Sequence, residues 1–107
     1  MSDYYILKDK IPIKVGMLEW ANNFERIENR RVAETTLDDG VRVSTVFLGL
    51  DHSWTGPPPL VFETMIFGGK HDLYQDRYST WKQAEDGHER AVKIAKGEIE
   101  TDVEVNE

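Results

Sequence analysis

The 107 residues include no cysteine. That absence excludes disulfides, thiolate metal sites, iron–sulfur clusters and a thiol nucleophile. Long apolar runs are missing as well: none approaches the roughly twenty residues that a membrane-spanning helix needs. The opening Met-Ser-Asp-Tyr-Tyr lacks the basic-then-apolar order of a signal peptide. We therefore expect a cytoplasmic protein with no membrane partner. Bases are scarce, since thirteen Lys and Arg face twenty Asp and Glu, for a formal charge of −7. A broad basic surface for phosphate backbones is thus lacking, and nucleic acid is not the expected ligand. His52, His71 and His88 are the only histidines, and none is spaced i, i+4 on a helix, so no metal site is expected. Gly68-Gly69-Lys70 lacks the spacing and the following hydroxyl of a P-loop, and Ser44 and Ser53 lack a nucleophile elbow. No cofactor is implied.

What is present is enough to build a core: 39% of the residues are hydrophobic and 10% aromatic. Tyr4-Tyr5-Ile6-Leu7 and Ile11-Pro12-Ile13-Lys14-Val15 flank a polar Lys8-Asp9-Lys10 turn, which predicts a hairpin with Pro12 on an edge or irregular strand. Met17, Trp20, Ala21 and Phe24 then fall on one helical face, predicting a helix from about Met17 to Arg26. Arg31 to Thr36 and Val41 to Leu50 flank Leu37-Asp38-Asp39-Gly40, whose Asp-Gly step suits a tight turn between antiparallel strands. In the second arm Val41, Val43, Thr45 and Phe47 share one face, and Arg42, Ser44, Val46, Leu48 and Leu50 the other. A stiff loop follows, ending in Pro57-Pro58-Pro59. A strand from Leu60 to Phe67 and a short one between Leu73 and Tyr78 come next. Thr80 and Gln83 fit a capping box for a second helix, with Trp81, Ala84, His88, Ala91, Val92 and Ala95 as its apolar stripe and Lys96-Gly97 as its end. Five acids and no base lie in 97–107, and without them the rest of the chain carries only −2.

These elements predict one α+β domain over residues 1–96, with an antiparallel sheet of three to five strands and two helices packed mainly on one face. Residues 97–107 form an acidic tail, expected to be flexible. The sheet's other face, together with the Trp54 proline loop, suits a homo-oligomer interface that would bring copies of His52, Glu63 and Arg77 near one another.

Five positions carry the expected ligand chemistry: Asp51, His52, Glu63, Arg77 and Tyr78. Asp51-His52 opens the proline loop, either as an imidazole oriented by a carboxylate or as a loop turn in which Asp51 caps backbone amides. By strand alternation Glu63 shares a face with Val61, Met65 and Phe67. Burying a carboxylate there costs several kcal/mol unless it is paired, so Glu63 is either an acid, base or acceptor, or the partner of Arg42 or Arg77. His88 faces the sheet, either as a hydrogen-bonded core residue or paired with Glu63 or Tyr78. Arg77-Tyr78 precedes the capped helix, where a guanidinium and a phenol beside free amides make an anion pocket; the other reading is a packed Tyr and a surface ion pair.

Gly49-Leu50-Asp51-His52, then Pro58-Pro59-Leu60-Val61-Phe62-Glu63-Thr64-Met65-Ile66-Phe67-Gly68-Gly69, then Arg77-Tyr78-Ser79-Thr80 with Ala84 and Gly87-His88, follow one another in order. In this the chain resembles a family of small uncharacterised bacteriophage- and prophage-encoded proteins, over roughly Tyr4 to Ala95. The resemblance implies a phage accessory protein acting in the cytoplasm of an infected bacterium and brings no activity with it. The leading expectation is a non-enzymatic protein that sequesters a small anionic ligand or a host defence protein. A small hydrolase or nuclease using His52, Glu63 and His88 is the alternative, and a structural or assembly component a further one.

Overall fold

The computed structural model describes residues 3–23 and 30–101, and within them the chain is an α+β fold of two antiparallel sheets and two helices. The first sheet is the hairpin of β1 (Tyr4–Lys8) and β2 (Ile11–Val15), with Ile6 opposite Ile13. Asp9 and Lys10 both take positive φ, 52° and 69°, as the tight turn requires. The Tyr5 amide points away from β2, to the Gly49 carbonyl at 2.8 Å. Ladder alternation therefore turns the Pro12 nitrogen, which has no hydrogen to give, toward the free edge of β2, as an edge strand demands.

α1 (Met17–Asn23) leans on β1, where the Tyr4 and Trp20 rings lie 5.0 Å apart, and it buries none of its residues. The part of this helix expected over Phe24 to Arg26 lies outside the described residues.

The second sheet is a meander in the order β3 (Arg31–Thr36), β4 (Arg42–Phe47), β5 (Phe62–Phe67), β6 (Gln75–Tyr78). Gly40, at φ 90°, closes the β3–β4 turn, where Asp39 accepts from the Val41 amide at 3.0 Å. The hairpin does not extend this sheet. Beyond the end of β4 it meets the chain at the bridge of Tyr4 with Leu50, and its Tyr5 and Leu7 cap the core near Phe47 and Phe62.

α2 (Trp81–Ala95) lies across one face of the four strands. The Thr80 and Gln83 capping box forms as the spacing predicts, with the Gln83 amide donating to Thr80 Oγ1 at 3.1 Å. Beneath α2 are two apolar clusters. Val41, Val43, Ile66, Ala91 and Ile94 make one, and Phe47, Val61, Phe62 and Ala84 the other. Burying each large side chain contributes about 1.5–3 kcal/mol.

Val61 departs from the expected alternation. Its amide donates to the Tyr78 carbonyl at 3.0 Å, although Tyr78 is the register partner of Phe62. Two residues facing one is a β-bulge, which turns Val61 inward beside Phe62 and away from the face of Glu63. Both are fully buried.

Candidate functional site

Alternation along β3 to β6 sorts the polar residues of the sheet onto two faces. On the α2 side, Thr45 stands directly opposite Thr64, and both are fully buried between the two apolar clusters. Their hydroxyls are bonded at 2.5 Å, and Thr45 Oγ1 lies 2.7 Å from His88 Nδ1. The other ring nitrogen, Nε2, lies 2.9 Å from Thr35 Oγ1 on the edge strand β3. His88 thus satisfies both nitrogens with threonine hydroxyls, and neither Glu63 nor Tyr78 is its partner. Burial holds its pKa below the usual imidazole value of 6.5, against the opposing pull of Glu89 and Glu34. A groove of about 330 Å³, lined by Thr35, His88, Val92, Lys93 and Lys96 among others, runs beside this group.

Tyr78 sits further along the same face. Burial pushes its phenol up to about 12, with the Thr64 hydroxyl pulling the other way. Thr64 is nevertheless out of hydrogen-bonding geometry with it, and the phenol oxygen is buried without a partner. It rests against Gly87 of α2, where a Cβ would overlap it.

The opposite face carries ions. Glu34 takes Arg31 at 3.1 Å and Arg42 at 3.4 Å, and Glu63 takes Arg77 at 3.0 Å. The Arg42 guanidinium lies over the Phe67 ring, 4.4 Å from its centre. Arg31, Arg42, Ser44, Val46, Glu63, Met65 and Phe67 line a shallow hollow of about 260 Å³. Among the described residues, three arginines to two glutamates in these pairs make this face locally basic, in a chain whose net charge is −7.

His88 follows the reading of a hydrogen-bonded core residue, and Glu63 and His88, grouped only in the alternative readings, stand on opposite sides of the sheet. Arg77 and Tyr78 stem from opposite faces of β6, as adjacent strand residues do, yet at this sheet edge both line a hollow of about 580 Å³ beside the start of α2, together with Ser79, Gln83, Asp86 and Arg90. The start of α2 is closed by its own capping: Gln83 Oε1 accepts from the Ser79 and Thr80 amides at 3.0 and 3.1 Å. Asp51 follows the turn reading. Its carboxylate accepts from the Ser53 and Leu60 amides at 2.8 and 3.0 Å and so ties together the two ends of the proline loop. Burial works to raise the Asp51 pKa, but those amides outweigh it and hold the pKa below the usual carboxylate value. The His52 amide donates to the Leu60 carbonyl at 3.0 Å, which keeps His52 in that loop. Trp54 at the loop's tip is 95% exposed.

Thr35, Thr45 and Thr64 were not singled out from the sequence. The available signal was a hydroxyl at position 45 between inward-facing Val43 and Phe47, together with a histidine on the helical stripe that would cover it. Arg31 and Arg42 were missed as a pair because they meet through Glu34, across two strands. Among the described residues no three His, Asp or Glu side chains group to hold a metal ion. Comparison of the chain with protein-family models, curated proteins and solved structures finds no match.

Proposed function

We propose that the chain is a non-enzymatic binding protein that holds a small planar anion on the open face of its four-stranded sheet. The observation that carries this is the arrangement on that face: Arg31 and Arg42 line one hollow with Met65 and Phe67, and Arg77 is paired to Glu63 at its side. α2 covers the other side, and among the described residues no helix lies over this one. An aromatic ring with a guanidinium on it offers a stacking surface, and flanking arginines offer forked donors to phosphate or carboxylate. The free strand edges are poor alternatives. Pro12 blunts β2, a bulge interrupts β3 between Arg31 and Ala33, and the Arg77 amide on β6 is taken by Asp76 at 2.9 Å. The resemblance to phage- and prophage-encoded proteins supplies the setting, in which the ligand is a host signalling molecule withdrawn from use.

Native mass spectrometry of protein purified gently from infected cells tests this. A discrete extra mass on the wild type, lost in an Arg31→Ala, Arg42→Ala double variant that melts as a folded domain, is the expected result. An unadorned wild-type mass, or the same adduct on the double variant, overturns it. An unadorned dimer assigns the face to a second copy of the chain.

A further inference from the structure

The inner face holds a different kind of group, independent of the arginine face. Thr35 Oγ1, His88 Nε2, His88 Nδ1 and Thr45 Oγ1 follow in sequence at 2.9 Å and 2.7 Å across the imidazole, with Thr64 behind Thr45. This is the order of a hydroxyl nucleophile, its base and the group that orients the base. Thr35 is half-buried on an edge strand, so its hydroxyl lies at the side of the sheet, where the groove of about 330 Å³ runs between β3 and α2. We propose that Thr35 is a nucleophilic hydroxyl, with His88 as its base, that accepts an acyl group from a small ester bound in this groove.

A neutral imidazole donates from one nitrogen and accepts at the other. With Nδ1–H donating to Thr45, the Nε2 lone pair faces Thr35. Thr35 Oγ attacks the ester carbonyl carbon as its proton passes to Nε2. Collapse of the tetrahedral adduct breaks the acyl–oxygen bond, and the leaving alcohol carries away that proton. The products are an acyl ester on Thr35, the free alcohol and a neutral His88. Thr45 is a positioning residue, since it touches the base and not the ester. The charged groups around the imidazole are Glu89 on α2 and Glu34 on β3, both favouring the imidazolium, with Lys93, Lys96 and Glu98 along the groove; β4 and β5 present only the uncharged Thr45 and Thr64. Burial outweighs the two carboxylates and keeps the imidazole neutral at pH 7.

The test uses the full chain and p-nitrophenyl acetate, followed by nitrophenolate release and peptide mapping. We expect one hydroxylamine-labile acetyl ester on Thr35, absent in Thr35→Ala and present in Thr35→Ser. Its rate should fall in acid as His88 takes up a proton, at a pH lower than an ordinary imidazole would show because burial lowers the His88 pKa. Thr45→Val should slow the reaction by at least about tenfold and displace that pH profile, and Thr45→Ser should restore both. Acetylation confined to lysine amides, or a Thr35 ester that forms as fast in the urea-unfolded chain, would overturn the proposal. So would a Thr35 rate that ignores both pH and Thr45.

Discussion

On the α2 side of the four strands, Thr35, Thr45, Thr64 and His88 exchange hydrogen bonds among uncharged groups, with Thr45 and Thr64 sealed from water. On the other side, one residue along the same strands, Arg31, Glu34, Arg42, Glu63 and Arg77 are joined as ion pairs that keep some contact with solvent. The difference follows from the dielectric each face meets. Under a helix a charge is costly and an unmade hydrogen bond costs about 1–3 kcal/mol, so the groups are neutral; Thr35, Thr45, Thr64 and His88 each find a partner, and the Tyr78 phenol is the exception. At the open face water screens the ions, each pair contributes little, and the charges stay available to a ligand. Stability should therefore depend on the inner face, and the outer face should be free to bind.

The sharpest way to break this contrast is at Gly87. Gly87→Ala drives a methyl group into the Tyr78 phenol within a helix and sheet that cannot part freely. We expect a loss of about 3 kcal/mol in urea unfolding, although alanine is the better helix former by about 1 kcal/mol. A stabilised variant would show that the inner face is loosely packed.

Acid gives a smaller effect on the same face. The folded pKa of His88 lies below the unfolded value of 6.5, so the unfolded chain binds the proton first. The contribution of neutral His88 is complete above about pH 6.5 and declines as pH falls from there toward its lowered folded value. Thermal melting from pH 7.5 to 5 should show this decline for the wild type. His88→Gln should remove that part of the slope; an unchanged slope would assign the acid sensitivity to other groups.

The smallest effect belongs to the outer face. Glu63→Gln leaves a neutral acceptor beside Arg77 and should cost less than about 1 kcal/mol in chemical unfolding. A loss as large as that of Gly87→Ala would mean that the Glu63–Arg77 pair is structural, and the two faces would then be alike.

Much of the fold was legible in the residues because it depends on short-range chemistry. The Asp-Gly turn, the Thr80 and Gln83 capping box and the two-residue alternation of β4 each involve neighbours within a few positions. The place of the first hairpin was not legible. Period-two strands look the same whether they join a larger sheet or stand beside it, and the Tyr4–Leu50 bridge spans the whole first half of the chain. The candidate site was less legible still. Glu63 was readable as a carboxylate in need of a cation, with Arg77 among the named partners, but the bulge that turns Val61 inward depends on β6. Arg77 and Tyr78 alternate across β6 and still line one hollow at the start of α2, because β6 is an edge strand and the helix begins beside it.

Composition and local pattern by themselves determined that this chain is an α+β domain without thiol chemistry, with its turns and its second helix where the capping residues stand. They also determined which residues of β4 face each way, because alternation is a property of the strand alone. Only the tertiary structure decided that His88 meets Thr35 and Thr45, that Gly87 makes room for Tyr78, and that three arginines share the uncovered face. Each of those contacts joins residues from different elements. Their distances are set by how β3 to β6 align and where α2 comes to rest, which no local stretch of sequence encodes.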